Sequence, residues 1–428
     1  MSTPQQKTPH LKRNTIGGIV GNVLEWYDFA VFGYFAPIIG SQFFPSEDKM
    51  ASIISAFGVF AAGYMMRPIG GMIFGSIGDR MGRKKALQIS VAMMALPTVL
   101  VGFLPTHAQI GLTASVLLVL LRLIQGISVG GELIGSISFI TEIAPRNRRG
   151  LYGSFTMCSA LGGVMLGSLV ATMLHGLLSA AAIHSWGWRI PFLAGFAVAG
   201  FGVWMRRGIV EAPDFKKHLE AGDLEKNPVV EALKTKPRQI LHVLFLVMVM
   251  GGGFYMLFVW WPTYLTKIIP TPVPHALAVN TLSMVALMCC IPLMGLLSDI
   301  WGRRIVLVLA TGAMVVFTYP LFVFTDHGTF AGALVCQLLF AIIFSGVQGP
   351  MSATMMEMFP MKTRFSGIAI GYNVSLAIFG GTAPLISTWL IHKTGNDITA
   401  PAYYLIAMAL VSFGAALFVG TDKGVEPA

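Results

Sequence analysis

Long runs of apolar residues alternate with short polar segments along nearly the whole chain. A helix needs ~20 predominantly apolar residues to cross the hydrocarbon core of a bilayer. Twelve runs approach or exceed this length, so the pattern predicts an all-α membrane protein with twelve transmembrane helices. The predicted spans are 16–42, 52–78, 86–105, 112–140, 150–176, 188–206, 239–266, 276–298, 304–325, 329–356, 364–392 and 399–420.

The longest polar stretch lies near the middle of the chain, at residues 207–238, and is rich in Lys, Glu and Pro. A stretch of this kind between two sets of six spans is typical of a linker. The pattern therefore predicts an N-terminal six-helix bundle at 1–206 and a C-terminal six-helix bundle at 239–428.

Composition supports a lipid surrounding. Hydrophobic residues make up 55% of the 428 residues and charged residues only 11%, whereas soluble domains carry about a quarter charged residues. The net charge of +10 comes from short basic clusters between apolar runs, which indicates loops that face anionic lipid and not a nucleic-acid surface. The four cysteines lie in apolar runs and are interpreted as packing residues, and nothing indicates a cofactor or a metal.

Basic residues also predict the orientation. One set of loops contains nearly all of them, including Arg83, Arg146 and Arg303, while the opposite set holds mainly Lys49 and Lys267 with few others. Because positively charged loops stay in the cytoplasm, both termini are expected there.

Two motifs occur once in each half. Gly75-Ser-Ile-Gly-Asp79-Arg-Met-Gly82-Arg83 returns as Gly295-Leu-Leu-Ser-Asp299-Ile-Trp-Gly302-Arg303. Glu142, Pro145 and Arg149 return as Glu357, Pro360 and Arg364. The same order of motifs in both halves indicates parallel repeats related by an axis along the membrane normal.

The repeated charges predict a latch that closes the cytoplasmic side. The aspartate of each motif can accept hydrogen bonds from loop amides or a helix end, and the glutamate can pair with the same arginines. The alternative interpretation is a topology anchor that contacts lipid headgroups. The predicted gating residues are Asp79, Arg83, Glu142, Arg149, Asp299, Arg303, Glu357 and Arg364, together with Arg67 and Glu132.

Several segments resemble the metabolite–proton symporter family of the major facilitator superfamily. They are Gly21-Asn22-Val-Leu-Glu25-Trp26-Tyr27-Asp28-Phe29, Arg67-Pro68-Ile-Gly70-Gly71, Arg122-Leu-Ile-Gln125-Gly126-Ile-Ser128-Val-Gly130-Gly131-Glu132 and Trp186-Gly187-Trp188-Arg189-Ile-Pro191-Phe192. One departure is Ile300-Trp301, since the family usually has a basic residue at 300, and it predicts a weaker C-terminal latch.

The resemblance implies a major facilitator fold in a bacterial inner membrane. The sequence shows no nucleophile–base set, metal-ligand spacing or phosphate-binding loop, so an enzyme is not expected. It implies proton-coupled uptake of a small carboxylate-bearing solute, such as proline or glycine betaine, by alternating access. Symport of di- or tricarboxylates such as citrate and α-ketoglutarate is the alternative, and an exporter or a proton-independent facilitator fits less well. The expected partners are the solute, protons and the lipid bilayer, and the chain is expected to work as a monomer.

Ionisable residues within predicted spans are candidates for function. Five occur, all in the N-terminal half: Glu25, Asp28, Arg67, Arg122 and Glu132. A rise of ~1.5 Å per residue places Glu25, Asp28 and Arg122 at a similar depth, which predicts pairing of Arg122 with one of the two acids. Arg67 and Glu132 are predicted to form a second pair nearer the cytoplasm.

Glu25 and Asp28 are three residues apart, so they share one face of a helix. Two carboxylates in a low-dielectric surrounding favour uptake of a proton by one of them. The hypothesis is that Asp28 or Glu25 carries the transported proton, and that Arg122 binds the substrate carboxylate or gates that proton. The alternative is a permanent ion pair that only fixes helix packing.

Neutral polar and aromatic residues are predicted to complete the substrate site. A cavity with an arginine on one wall and aromatic rings on the other suits a carboxylate, or a zwitterion whose cationic end contacts the rings. The alternative for Trp260 and Trp261 is an aromatic belt at the membrane interface. The predicted substrate-binding residues, besides Arg122, are Tyr27, Gln125, Tyr255, Trp261, Asn280, Gln348 and Asn373.

Overall fold

The computed structural model describes residues 23, 26–81, 83–130, 132–196, 200, 228–325, 328–359, 364–395 and 397–420. Within these ranges it describes the backbone alone for 75–81, 83–88, 91, 132, 135, 138, 139, 142, 143, 228 and 365. The part of the chain that is described contains helices and loops and no strand.

Twelve helical segments follow one another along these residues. They are α1 (26–34 and Ala36–Phe43), α2 (Lys49–Met65 and Arg67–Met81), α3 (Arg83–Phe103), α4 (Leu112–Ser128 and Glu132–Ile143), α5 (Arg149–Leu177), α6 (190–196), α7 (Pro237–Phe254, then Tyr255–Trp260, Trp261–Thr263 and Tyr264–Ile268), α8 (Ala276–Trp301), α9 (Arg303–Thr325), α10 (Phe330–Glu357), α11 (Arg364–Ser375, Leu376–Gly380 and Ala383–Lys393) and α12 (Ala400–Ala416). Short helices His107–Ile110, Ala180–Ser185 and Pro228–Thr235 lie between them.

Each predicted span overlaps one of these segments among the described residues, which confirms the all-helical membrane fold. Seven helices of the described chain are long and apolar enough to cross a membrane, and three further apolar helices are shorter. Their outward faces carry large apolar side chains that water would not solvate favourably, such as Leu177, Phe103 and Leu112, which are 82%, 69% and 71% exposed. A bilayer is the solvent that fits this surface.

Close contacts between backbones bring the two halves together. A Cβ atom placed on Gly295 of α8 would lie 2.6 Å from the carbonyl oxygen of Gly150 at the start of α5. Only glycine allows this approach, and small residues are the usual means by which membrane helices come close. The glycine that opens the second copy of the repeated motif therefore sets a helix crossing between the halves.

Irregular turns interrupt α7 and α11 near the centre of the molecule. The α7 backbone is π-helical from Tyr255 to Trp260, and α11 is π-helical from Leu376 to Gly380. Such turns shift side chains out of the regular register and are frequent at functional sites. Here they bring Tyr255 and Leu376 to the wall of one central cavity.

The two ends of the bundle differ in charge. We call the end that carries Arg146, Arg149, Arg303 and Arg304 the basic end, and the other the opposite end. The halves contact each other at both ends, through Asp299 and α5 at the basic end and through Tyr34 and Asn280 at the opposite end. The two halves are therefore in contact on either side of the central cavity.

Candidate functional site

A charged network lies buried between α1, α3 and α4. The Asp28 carboxylate accepts hydrogen bonds from Arg122 Nη1 at 2.8 Å and from the Thr98 hydroxyl at 2.7 Å. Gln125 Nε2 donates to both carboxylate oxygens, at 3.0 and 3.1 Å. Asp28 is 2% exposed, and Arg122 and Gln125 are completely buried. The predicted pairing of Arg122 with an acid on the first helix is thus confirmed for Asp28.

Polar groups contact the Arg122 guanidinium on one side, and aromatic rings lie against it. Its Nη1 also donates to Gln125 Oε1 at 2.8 Å, whereas its buried Nε and Nη2 have no hydrogen-bond partner among the described residues. The guanidinium carbon lies 4.8 Å and 4.2 Å from the ring centroids of Phe29 and Phe32, in positions suited to cation–π attraction. Asp28 is thus the sole described carboxylate in contact with this charge, so a proton on Asp28 leaves Arg122 without an ionic partner.

The central cavity lies between the halves and is lined by aromatic and apolar side chains. Its volume is about 20 Å³, which is room for about one water molecule. No charged side chain of the described chain lines it. The lining residues are Trp26, Met157, Ala160, Leu161, Met250, Gly251, Phe254, Tyr255, Gln348, Tyr372 and Leu376.

Aromatic rings of both halves meet at this cavity. Trp26 of α1 stacks on Tyr255 of α7 with ring centroids 6.1 Å apart and an interplanar angle of 10°. The hydroxyl groups of Tyr64 and Tyr255 are hydrogen-bonded to each other across the same interface. Gln348 contributes an amide and makes no hydrogen bond to another described residue, so its donors and acceptor are available to a ligand.

Arg67 lies behind the aromatic wall. Its guanidinium carbon is 5.9 Å from the Trp26 ring centroid and 5.2 Å from that of Tyr64, and the residue is 2% exposed. It is therefore near the cavity without lining it. The side chain of Glu132, predicted as its partner, lies outside the described side chains.

Four other predicted substrate residues hold helices together and do not line the central cavity. The Tyr27 hydroxyl donates to the Pro191 carbonyl oxygen at 3.0 Å, and Asn373 Nδ2 donates to the Gly130 carbonyl oxygen at 2.7 Å. Gln125 belongs to the Asp28 network. Trp261 is fully buried, with its ring centroid 4.8 Å from that of Phe322.

The burial of Trp260 and Trp261 contradicts their interpretation as an interface belt, because belt residues reach the lipid headgroups. Both are 0% exposed. The π-helical turns of α7 point them into the C-terminal bundle, where Trp260 Nε1 donates to Thr388 at 2.8 Å.

Asn280 joins the two halves at the opposite end. Its Nδ2 donates to the Tyr34 hydroxyl at 3.1 Å and to the Phe258 carbonyl oxygen at 3.0 Å, and its Oδ1 accepts from Gln337 at 2.5 Å. The network joins α1 of one half to α7, α8 and α10 of the other. It is neutral, so its strength does not depend on a titrating group.

The second copy of the repeated motif forms a charged contact between the halves at the basic end, which we call the Asp299 latch. Asp299 accepts hydrogen bonds from the backbone amides of Gly150 and Leu151, at 2.8 and 2.9 Å. Amides in the first turn of a helix have no acceptor within the helix, so the carboxylate supplies one at the start of α5, where the helix dipole also favours a negative charge. Arg303 holds the aspartate at 2.6 Å and Glu357 at 3.2 Å. The predicted pairing of this glutamate with the motif arginine is confirmed.

The latch forms without a basic residue at position 300. Ile300 and Trp301 are 67% and 53% exposed, so their side chains point away from the contact. Gly302 has a φ of +96°, which lets the chain turn from α8 into α9. Arg364 instead donates to the Phe359 carbonyl oxygen at 3.1 Å, and Arg149 lines a cavity at this end.

Several predicted residues lie outside what the structure describes. Glu25 is outside the described residues, and for Asp79, Arg83, Glu132 and Glu142 the backbone alone is described, within α2, α3 and α4. The first copy of the latch and a second acid beside Asp28 therefore stay predictions.

The sequence did not single out Thr98, Tyr64 or Trp26 as site residues. Thr98 precedes no motif, and a threonine in an apolar span resembles any other helix-packing residue. Trp26 and Tyr64 show their role only through their partner Tyr255, which is distant in sequence. One signal could have pointed to Thr98. It is a polar residue on a helix predicted to neighbour α1, where it could reach an acid of that helix.

The comparisons with known proteins agree with this architecture. The family model described as Major Facilitator Superfamily matches residues 18–279, and that described as Sugar (and other) transporter matches residues 206–424. The solved structure of the xylose transporter XylE from E. coli, in a partially occluded inward-open conformation, aligns with a TM-score of 0.76 at 18% identity and covers 97% of this chain and 98% of its own.

Curated relatives are more similar in sequence. The proline/betaine transporter of Salmonella typhimurium is 33% identical over 410 residues, covering 94% of this chain and 82% of that protein. The ectoine/proline transporter of Corynebacterium glutamicum is 36% identical over 449 residues, covering 99% and 86%. With a matching family model over more than half of its length and relatives of this similarity, the chain belongs to the major facilitator superfamily of membrane transporters.

Proposed function

We propose that this transporter couples proton entry to the uptake of a small zwitterionic carboxylate, such as proline or glycine betaine, by alternating access. The observation that carries the proposal is the buried Asp28–Arg122 pair. Asp28 lies two residues along α1 from Trp26, which lines the cavity. The basic end is proposed to face the cytoplasm, with residues 1–206 and 239–428 as the two moving halves.

Asp28 is the proposed proton carrier. Its carboxylate balances the charge of Arg122 in a site from which water is excluded. Protonation breaks this balance and favours a conformation in which Arg122 is solvated or finds another anion. Because Trp26 and Asp28 share α1, movement of that helix on protonation also moves a wall of the cavity. Of the two roles considered for Arg122, the geometry favours gating of the proton on Asp28 over direct contact with the substrate, because Arg122 does not line the cavity.

At about 20 Å³ the cavity is smaller than any of these solutes, so it must widen as the halves move apart. Its lining favours a zwitterion over a tricarboxylate. Its described lining is uncharged, so several carboxylates would lose their hydration with no cation to replace it. The faces of Trp26 and Tyr255 suit a quaternary or secondary ammonium group. The amide of Gln348 can donate to one carboxylate, and Arg67 behind the aromatic wall adds positive potential. The names of the curated relatives, which mention proline, betaine and ectoine, support the same class.

Uptake into proteoliposomes tests the proposal. Labelled glycine betaine and proline are followed with and without an imposed inward proton gradient, and exchange of internal for external solute is followed without a gradient. Wild type accumulates solute only with the gradient. Asp28→Asn is expected to lose accumulation and to keep exchange, because an amide cannot carry the proton but can still bond Gln125 and Thr98.

Asp48→Asn is the matched control, because Asp48 is an exposed carboxylate at the start of α2. It should accumulate solute as wild type does. Glu25→Gln is assayed in parallel. If Asp28→Asn accumulates solute at the wild-type level, Asp28 is not the carrier, and loss in Glu25→Gln alone moves the role to Glu25. Accumulation of citrate but of neither zwitterion would contradict the substrate class.

A further inference from the structure

A second and larger cavity opens at the basic end. Its volume is about 1020 Å³, and it shares no lining residue with the central cavity. The connection between α4 and α5 forms one wall. The ends of α8, α10 and α12, the starts of α9 and α11, and His242 of α7 form the others. It is therefore bordered by both halves of the transporter.

The walls of this cavity carry an excess of positive charge. Five arginines and one glutamate line it: Arg146, Arg149, Arg303, Arg304, Arg364 and Glu357. Arg303 and Glu357 pair with each other. The side chains of Arg146, Arg149 and Arg304 have no hydrogen bond or ion pair with a described residue, and the Nε atom of Arg149 is buried. Arginines so placed are suited to a phosphate group, whose oxygens can accept from several guanidinium groups at once.

The floor of the same cavity is apolar and continues onto the lipid-facing surface. Ile305, Val308 and Leu309 of α9 line it together with Leu417 and Phe418 beyond α12. Ile305 and Leu309 are 50% and 61% exposed. A free inorganic anion would use the arginines alone. A membrane lipid would use both surfaces, with its phosphate among the arginines and its acyl chains along α9.

We propose that this cavity is a binding site for an anionic glycerophospholipid, held by Arg146 and Arg149 of one half and Arg304 of the other. Basic pockets between membrane helices at the cytoplasmic side are suited to such headgroups. A lipid in this position contacts both halves beside the Asp299 latch. Its binding therefore favours the conformation in which the basic end is closed.

Native mass spectrometry of the purified full-length chain tests the site. The protein is titrated with phosphatidylglycerol and, separately, with phosphatidylcholine of the same acyl chains. We expect one phosphatidylglycerol to be retained preferentially. The variant Arg146→Gln/Arg304→Gln should bind it at least about tenfold more weakly, because two of the phosphate's positive partners are removed. Both side chains are exposed, and neither belongs to the described latch contacts, so the variant should fold.

The matched control is Arg148→Gln/Arg238→Gln. It removes the same charge from two exposed arginines that do not line the cavity, and its affinity should stay within about twofold of wild type. Equal weakening in both variants would show a general surface-charge effect and would overturn the proposal. So would equal retention of the two lipids. Inorganic phosphate is added as a competitor, and full displacement at millimolar concentration would identify a free-anion site instead.

Discussion

The two halves repeat the same helical pattern but carry different chemistry. The N-terminal half holds the buried Asp28–Arg122 pair, together with Arg67. The described C-terminal half instead supplies neutral groups to the interior, including Tyr255, Gln348 and the Asn280 network. Under the proposed function the N-terminal half responds to protons, and the C-terminal half supplies neutral groups to a cavity that both halves line.

The same contrast appears at the ends of the molecule. At the basic end the halves are joined by the charged latch of Asp299 on α5, and at the opposite end by the neutral hydrogen bonds of Tyr34 and Asn280. Charged contacts respond to the ionic environment, whereas neutral contacts respond to packing alone. Four variants test how far this division holds.

The largest effect is expected from breaking the buried ion pair on one side. Arg122→Gln leaves the Asp28 carboxylate buried without its cation, which should cost about 3–5 kcal/mol of stability. The double variant Arg122→Gln/Asp28→Asn removes both charges and should recover most of that loss. Thermal unfolding of the purified variants in one detergent measures it. Equal destabilisation by the single and double variants would show that the two charges are not coupled.

A substantial effect on solute recognition is expected from the aromatic wall. Trp26→Leu should raise the KM for glycine betaine by roughly tenfold, since it removes a ring face worth about 1–2 kcal/mol to a buried cation. Trp26→Phe keeps a ring and should lose less. Initial uptake rates at saturating gradient provide the KM values. If a solute without any ammonium group loses as much affinity, the effect comes from packing and the cation is not recognised there.

A comparable or smaller effect is expected at Gln348. Gln348→Leu keeps the approximate volume but removes the free amide of the cavity, and should weaken solute binding by about fivefold to tenfold, which lies within the net value of one hydrogen bond, about 0.5–1.5 kcal/mol. Gln337→Leu is an informative contrast, because Gln337 bonds Asn280 and the Leu257 carbonyl oxygen and is not in the cavity. It should lower stability and leave affinity for the folded transporter unchanged. Isothermal binding to both variants distinguishes the two roles.

The smallest effect is expected from the latch. The carboxylate of Asp299 uses one oxygen for the Gly150 amide and the other for the Leu151 amide, so Asp299→Asn keeps an acceptor for one of them and removes the negative charge at the start of α5. The loss of about 1 kcal/mol should shift the population towards opening of the basic end by roughly fivefold. A cysteine placed in the central cavity and labelled from that side reports the opening. Asp397→Asn, at an exposed loop turn, should leave the labelling rate unchanged.

Much of the site could be placed from the sequence because depth in a membrane follows from helical rise. That arithmetic brought Asp28 and Arg122 to one level, and the pair is formed. Depth alone could not decide which of several residues at the same level face the cavity. Which side chains face the cavity depends on rotation about each helix axis, and the π-helical turns of α7 change that rotation along the helix.

Trp261 and Tyr255 show where this limit falls. Both were expected at the solute site from their position on the seventh span, yet Tyr255 lines the cavity and Trp261 is buried against Phe322. A register change caused by one extra residue per turn is not encoded in any hydrophobic period. Thr98 was missed for a related reason. Its hydroxyl belongs to the site only because it bonds the Asp28 carboxylate, and that contact depends on how the two helices are rotated.

The sequence by itself determined the class of molecule. Apolar length requires spanning helices because backbone polar groups must be satisfied within the bilayer, and the repeated motifs predict two related halves. The tertiary structure alone decided which groups meet. It joined Asp299 to the start of α5, placed Trp26 on Tyr255, and arranged arginines of both halves around one cavity. These are contacts between residues far apart in sequence, and their geometry depends on helix rotation and crossing, which local patterns do not specify.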